Sequence, residues 1–120
     1  MKFEFYNPID EKGGCIPRAI SKFFNTDYNQ VKQDLIKLAT KLGYDDYRQI
    51  EVFENYLQEK GLKKIKYQSK EIKDLDYSNG SYLIFAHKND FYHLTCIINN
   101  IIYDKNNNIE DLEIISIYKM

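Results

Sequence analysis

The hydrophobic and polar positions divide the chain into a helical first half and a strand-rich second half. Apolar side chains recur at helical spacing over Cys15–Phe24, and Pro17 is compatible with a first helical turn. A second helix is predicted to begin at Tyr28 and to stop at Gly43, because its apolar positions step by three and four. The same spacing predicts a third helix over Tyr47–Lys60.

Five strands are predicted after residue 61, where short apolar and aromatic runs replace the helical spacing. They are Lys63–Tyr67, Ser81–His87, Phe91–Ile98, Ile101–Asp104 and Leu112–Tyr118. Helices followed by strands indicate an α+β fold, with N-terminal helices packed on a C-terminal antiparallel sheet. No repeat or linker divides the chain. We therefore expect a single domain over residues 1–120, with a helical half of about 1–61 and a sheet half of about 62–120.

The dipeptide Asn99-Asn100 predicts a two-residue hairpin turn, because asparagine tolerates the positive φ that a type I′ turn requires. With that turn, facing residues in the two strands are symmetric about the Asn99-Asn100 bond. His93 and Asp104 then become diagonal neighbours on one face of the sheet, within reach of a hydrogen bond between their side chains. Cys96 falls on the opposite, uniformly apolar face, where a free cysteine is expected to be a buried core residue.

Cys15 follows Gly13-Gly14 and opens the first predicted helix. The glycines leave room for a substrate backbone, while a helix N-terminus supplies partial positive charge and unpaired N–H groups that favour a thiolate. In a nucleophilic site, His93 would accept the thiol proton and later protonate the leaving group, and Asp104 would orient the imidazole. The alternative is a buried cysteine at a helix start without chemistry.

Other residues are candidates for secondary roles at this site. The backbone N–H of Cys15 and, more weakly, the side chain of Asn7 are candidate oxyanion-hole donors, although Asn7 could equally be a turn residue. Arg18 lies one helical turn after Cys15 and is expected to act as a structural clamp rather than to bind a substrate carboxylate. Gly14 is a supporting residue. His87 is an alternative base, or otherwise a solvated side chain.

Composition excludes several functional classes. The net charge is −1 and charges of both signs are interspersed, so no nucleic-acid partner is expected. No segment reaches the length of a membrane span and no signal-peptide pattern opens the chain, so we expect a cytoplasmic protein without a membrane partner and with free thiols. Zinc-ligand spacings, P-loops and serine-hydrolase elbows are missing from the sequence, so we expect no metal and no cofactor.

Several separated motifs occur in a recognisable order along nearly the whole chain. They are Tyr6-Asn7-Pro8, Cys15-Ile16-Pro17-Arg18-Ala19-Ile20, Gly80-Ser81-Tyr82-Leu83-Ile84, His93 and Tyr103-Asp104. This arrangement resembles the papain-like cysteine peptidase superfamily, and more closely small phage and bacterial proteins of bacteriocin-processing-peptidase-like type. The resemblance implies a papain-like fold with a Cys15, His93 and Asp104 site. The chain departs from the family pattern at Gly14, where the family has Asp, and at Lys105-Asn106-Asn107, where it has Thr-Trp-Asp.

We therefore expect a cysteine-dependent hydrolase that cleaves a peptide, isopeptide or glutamine-type amide, with a peptide or protein as substrate. Two alternatives stay open. The fold could serve as a catalytically silent interaction module, for example a phage-encoded inhibitor of a host system, with the 11 tyrosines building a contact surface. The same three residues could also serve an acyltransferase or a deamidase. The sequence leaves the oligomeric state open.

Overall fold

The computed structural model describes residues 1–66 and 70–120, and within them three helices pack on one face of a six-stranded mixed sheet. The coarse prediction of an α+β fold is confirmed. Along the chain the elements are β1 (Lys2–Phe5), α1 (Cys15–Phe24), α2 (Tyr28–Leu42), α3 (Ile50–Glu59), β2 (Lys63–Lys66), a 3₁₀ turn (Ile72–Asp74), β3 (Ser81–Lys88), β4 (Phe91–Ile98), β5 (Ile101–Asp104) and β6 (Glu113–Lys119).

The first two helices begin and end where the spacing predicts. α2 is capped by Asp27, whose side chain accepts the backbone N–H of Gln30 at 3.0 Å. It stops at Gly43, which has a φ of 85° and supplies the left-handed cap that a helix end favours. α3 is shorter than predicted at its start, because the Asp46 side chain accepts the backbone N–H of Arg48 at 2.9 Å and holds the preceding residues in a turn.

The sheet has the strand order β1-β5-β4-β3-β6-β2. The prediction of an antiparallel sheet is wrong at one edge, where β1 pairs in parallel with β5 and Phe3 lies opposite Ile102. β1 was not predicted, because this strand exists only through its pairing with a segment far from it in the sequence. At the other edge, β2 ends at Lys66, so the predicted continuation through Tyr67 lies outside the described residues.

The hairpin between β4 and β5 has the predicted register. Asn99 and Asn100 have φ values of 48° and 66°, the positive values that the turn requires. Cys96 lies opposite Tyr103, and the pairing continues to the turn. Side chains therefore alternate between the faces as expected, with His93 and Cys96 on opposite sides of β4.

Each face of the sheet has its own hydrophobic core. The helix-side core joins the three helices to Leu94 and Cys96, and it contains fully buried side chains such as Ile20 and Leu35. Burying one such aliphatic side chain stabilises the fold by about 1.5–3 kcal/mol. The second core lies on the opposite face, around Ile97, beneath the 3₁₀ turn and the segment that follows β5. Among the residues described, no helix combines the length and apolar character needed to cross a membrane.

Candidate functional site

The candidate site lies where β5 ends. β5 stops at Asp104, whereas β4 extends beyond it, so the stretch Phe91–Leu94 has no β5 residue beside it. The first turn of α1 occupies this open edge, and the backbone N–H of Leu94 lies close enough to the sulfur of Cys15 to lower the pKa of the thiol. The thiol is thereby placed next to the His93 ring, although the two residues lie far apart in the sequence.

Asp104 is the buried anchor of the site. Its Oδ2 lies 2.8 Å from Nε2 of His93, and both side chains are almost fully buried. Its Oδ1 accepts hydrogen bonds from the Arg18 guanidinium at 3.3 Å and from the backbone N–H of Asn106 at 3.0 Å. Burial would raise the pKa of this carboxyl, but the hydrogen bond and charge of His93 hold it below its ordinary value.

The thiol and the imidazole shift each other's protonation. Because Nε2 of His93 faces Asp104, Nδ1 is the nitrogen left for Cys15. Burial would raise the Cys15 pKa, but the hydrogen bond and charge of His93, the Leu94 N–H and the Arg18 charge together lower it. Burial would likewise lower the His93 pKa, but hydrogen bonds to Asp104 and Cys15 raise it to about 9. Both shifts favour a thiolate–imidazolium pair at neutral pH.

Cys96 has the opposite environment. It is fully buried in the helix-side core, and burial raises the pKa of its thiol to about 12. It faces away from His93, so the two residues cannot share a metal ion. Within residues 1–66 and 70–120, no group of three or more His, Cys, Asp or Glu side chains is arranged to hold one.

The loop before Cys15 is fixed against α2. Glu11 accepts a hydrogen bond from the hydroxyl of Tyr28 at 2.6 Å and from Lys32 at 3.0 Å. Gly14 is the N-cap of α1, and a Cβ at this position would lie 2.5 Å from the Tyr28 hydroxyl oxygen. Its φ of −87° is open to any residue, so glycine is needed here for space rather than for backbone freedom. Sequence analysis predicted a supporting role for Gly14 but missed Glu11 and Tyr28.

An open pocket of about 260 Å³ gives access to the thiol and the imidazole. Cys15 and His93 line it, together with two aromatic side chains of β4. Phe91 is 48% exposed and stacks on the His93 ring with centroids 5.4 Å apart, while Tyr92 is 56% exposed on the other face of the strand. These rings form an accessible apolar rim beside the polar groups.

Backbone donors are present at the start of α1. Pro17 has no N–H, and Arg18 is the first helical residue whose N–H bonds back, to the Gly14 carbonyl at 3.0 Å. In the described part of the chain, the N–H groups of Cys15 and Ile16 have no backbone acceptor, as is usual for a first helical turn. The predicted donor at Cys15 is therefore available to a negatively charged oxygen.

The remaining predicted residues have different positions. Arg18 is buried and bonds Asp104, which fits the predicted structural clamp. Asn7 does not line the pocket, because its amide donates to Asp10 at 3.2 Å in the turn that follows β1. His87 does not line the pocket either; it lies on the helix-side face and stacks on the Tyr92 ring, with centroids 5.3 Å apart. The structure thus places neither Asn7 nor His87 in the pocket that contains the Cys15 thiol.

The contacts among Cys15, His93 and Asp104 can hold a thiolate, move a proton and fix the orientation of the imidazole. Protein-family models, curated proteins and solved structures give no match to this chain. Its chemistry is therefore inferred from these contacts.

Proposed function

We propose that the protein is a papain-like cysteine hydrolase that cleaves an amide bond in a peptide, isopeptide or glutamine-type substrate. Cys15 is the nucleophile, His93 is the general base and acid, and Asp104 orients the imidazole. The observation that carries the proposal is the buried 2.8 Å contact between His93 and Asp104, together with the lowered pKa of the adjacent Cys15 thiol. A cysteine that only fills the core does not need such partners. Cys96 is an example, because burial raises its pKa and no hydrogen bond from a described residue lowers it.

The reaction follows from this arrangement. The Cys15 thiolate attacks the substrate carbonyl carbon, and the carbonyl electron pair moves to oxygen, where the free N–H of Cys15 stabilises the negative charge. His93 gives its proton to the departing amine as the carbon–nitrogen bond breaks, which leaves a thioester on Cys15. Water then attacks the thioester carbon and gives a proton to His93. The carbon–sulfur bond breaks, so the carboxylic acid product leaves and the Cys15 thiolate and the His93 imidazolium are restored. Throughout, Asp104 keeps Nδ1 of the ring directed at the sulfur.

Transfer and deamidation use the same thioester. If an amine attacks instead of water, the product is a new amide and the protein is an acyltransferase. If the substrate is a glutamine side chain, the departing amine is ammonia and the protein is a deamidase. Because these reactions share every step up to the thioester, only analysis of the products separates them.

Thiol reactivity tests the proposal without knowledge of the substrate. Iodoacetamide at neutral pH should alkylate Cys15 more than about 10³-fold faster than Cys96, because a buried thiol with a pKa near 12 is almost entirely protonated. Mass spectrometry of tryptic peptides measures the two rates. His93→Ala should slow the alkylation of Cys15, whereas the matched His87→Ala variant should leave it unchanged. Equal, slow alkylation of both cysteines would overturn the proposal.

A product assay tests turnover directly. The protein is incubated in ¹⁸O-labelled water with a mixture of glutamine-containing peptides and a primary amine, and the products are identified by mass spectrometry. Hydrolysis incorporates ¹⁸O at a new carboxyl terminus, transfer adds the amine, and deamidation incorporates ¹⁸O at a glutamine side chain. Each product should disappear in Cys15→Ala and persist in Cys96→Ala. Products that form equally without Cys15 would contradict the assignment.

The exposed aromatic rim favours a second candidate, the silent interaction module. Phe91 and Tyr92 form an accessible apolar pair beside the pocket, a feature common to protein contact surfaces. In that case Cys15→Ala should retain any protein that copurifies with the wild type, and Tyr92→Ala should lose it. Loss of the copurifying protein in Cys15→Ala but not in Tyr92→Ala would exclude this candidate.

A further inference from the structure

A second pocket of about 510 Å³ adjoins the thiol pocket. Phe91 and Asn106 line both pockets, so the two meet at these side chains. The far side of the second pocket is formed by the turn between β3 and β4 and by the segment after β5. The second pocket is therefore the neighbour of the thiol pocket, with Phe91 and Asn106 between them.

The chemistry of the second pocket is polar at the rim and apolar at the floor. Ile109 and Leu112, both buried, form the floor, while amide side chains of asparagines surround the opening. Asp111 is already engaged by Lys73 at 2.8 Å. Lys88 is exposed at the end of β3, and in the part of the chain that the structure describes it has no carboxylate within ion-pair distance. The Lys73 hydrogen bond and, to a smaller extent, the Lys88 charge across the pocket lower the pKa of Asp111, but the Lys88 ammonium group itself is left without a direct ion pair among the described residues.

The thiol pocket also has a lysine without an ion pair to any residue that the structure describes. Its carboxylate, that of Glu11, is engaged by Lys32 at 3.0 Å. Lys105 is engaged by Asp10 at 3.2 Å, but Lys12 has no ion-pair partner among the described residues. Two lysines without a direct ion pair among the described residues thus flank the site in a chain whose net charge is −1. A carboxylate of a bound substrate could pair with either of them.

Asn106 links the pockets to the candidate active site. Its backbone N–H bonds Asp104, which fixes the residue relative to His93. Its half-buried side chain lines both pockets and bonds no described residue, so its amide group is available to a bound chain. Amide N–H groups and a lysine ammonium are both hydrogen-bond donors to a carboxylate.

We propose that the second pocket is a substrate subsite that selects an acidic side chain close to the cleaved amide. Lys88 is the specificity-determining residue, and Asn106 holds the substrate between the two pockets. The apolar floor accommodates the methylene groups of a glutamate. This inference rests on the proposed function, because it assigns the substrate class of the Cys15 site.

Peptide electrophiles test the subsite without requiring turnover. Two series of alanine-based tetrapeptides carry one variable residue, Glu, Gln or Lys. One series ends in a C-terminal chloromethyl ketone and the other begins with an N-terminal chloroacetyl group, so the two cover both sides of the cleaved bond. In each probe the Cys15 thiolate forms a carbon–sulfur bond and displaces chloride. The rate of Cys15 alkylation is measured by mass spectrometry.

In at least one series, the Glu probe should alkylate wild-type Cys15 about fivefold faster than the isosteric Gln probe, and the Lys probe should be slowest. Lys88→Ala should remove this preference and Lys88→Glu should reverse it. Neither variant should change the rate with iodoacetamide, which does not reach the subsite. Lys37→Ala, which removes an exposed lysine from α2, should retain the preference.

The outcomes separate the subsite from the proposed function. If Cys15 outpaces Cys96 with iodoacetamide but the Glu and Gln probes react equally in both series, the subsite is wrong and the hydrolase proposal stands. A Glu preference that survives Lys88→Ala also overturns the role of Lys88. If Cys15 reacts no faster than Cys96, the hydrolase proposal fails and the subsite fails with it.

Discussion

Cys96 lies in β4 and Cys15 approaches the same strand from α1, but the pKa values of the two thiols shift in opposite directions. Cys96 lies in the middle of β4 beneath the helices, where burial acts without a nearby donor and raises the pKa of the thiol to about 12. Cys15 approaches the end of β4, where burial is opposed by His93 and by the Leu94 N–H, and its pKa is lowered. The comparison teaches that the available hydrogen-bond donors, rather than burial alone, decide the state of a thiol here.

The difference originates in strand length. β5 pairs with β4 near the Asn99-Asn100 turn but stops at Asp104. The part of β4 around His93 therefore has an edge unpaired by any described strand. At the covered part, the backbone groups of β4 and β5 bond each other, and side chains of β4 such as Cys96 and Ile97 are buried in the two cores. At the open part, the backbone N–H of Leu94 and the two polar side chains find partners in each other and in α1.

The largest effect on the difference between the two cysteines is expected from the removal of Asp104. In Asp104→Ala, the buried guanidinium of Arg18 and the imidazolium of His93 lose their shared carboxylate. Breaking a buried ion pair by removing one partner costs about 3–5 kcal/mol, so the free energy of unfolding should fall by this amount in urea denaturation. The His93 pKa should also fall, which makes the Cys15 thiol resemble that of Cys96 and slows its alkylation.

The matched control is Asp111→Ala, which removes an exposed carboxylate bonded to a single lysine. Its free energy of unfolding and its Cys15 alkylation rate should stay close to those of the wild type. If Asp104→Ala behaved like Asp111→Ala in both measurements, the buried network would have no role in either stability or reactivity.

Local chemistry explains which parts of this site could be predicted from the sequence. Asn99-Asn100 accepts positive φ at both positions, which determines the turn, the register and hence the pairing of His93 with Asp104. Capping by Asp27 and the left-handed Gly43 likewise fix the limits of α2. In each case residues close in the sequence determine the conformation.

Contacts between distant segments could not be predicted in the same way. β1 forms only against β5, a segment far from it in the sequence. The hydrogen bond between Tyr28 and Glu11 depends on how α2 packs against the loop before Cys15. Asn7 was a reasonable oxyanion-hole candidate by type, but Asp10, three residues away, already accepts its amide. Side-chain partners of this kind follow from tertiary packing rather than from pattern.

A smaller effect on the difference between the two cysteines is expected from Gly14→Ala, which should displace Cys15. The new Cβ would lie 2.5 Å from the Tyr28 hydroxyl oxygen, so the loop must move away from α2. Overpacking of this kind costs about 1–3 kcal/mol of unfolding free energy. The movement should also carry Cys15 away from the Leu94 N–H and slow its alkylation, while Cys96 remains unreactive.

Tyr28→Phe provides the compensating change, because it removes the hydroxyl that the Cβ would meet. The double variant Gly14→Ala/Tyr28→Phe should recover part of the Cys15 alkylation rate, although the hydrogen bond to Glu11 is lost. A rate in the double variant lower than in Gly14→Ala would show that the hydroxyl positions the loop through that bond rather than limiting its space.

The smallest expected effect is the pH dependence of the free energy of unfolding, to which His93 and Cys15 contribute with opposite signs. The His93 pKa rises from 6.5 to about 9 on folding, so its contribution is fully present below pH 6.5 and is lost as the pH rises through about 9. The Cys15 pKa is lowered from 9.0, so its contribution is present above pH 9.0 and is lost as the pH falls through the folded pKa. The two shifts have opposite signs, so between the folded Cys15 pKa and pH 9 the gain from Cys15 offsets the loss from His93.

Removing one cysteine at a time tests this balance. In Cys15→Ala the opposing thiol is gone and the part of the His93 shift that Asp104 causes remains, so the free energy of unfolding should fall as the pH rises above 6.5, by at most about 1.4 kcal/mol per pH unit. In Cys96→Ala the profile below pH 9 should match that of the wild type, because the Cys96 thiol is protonated there both in the unfolded chain and in the fold. Urea denaturation at several pH values measures all three profiles. A flat profile in Cys15→Ala would mean that Asp104 does not raise the His93 pKa on folding.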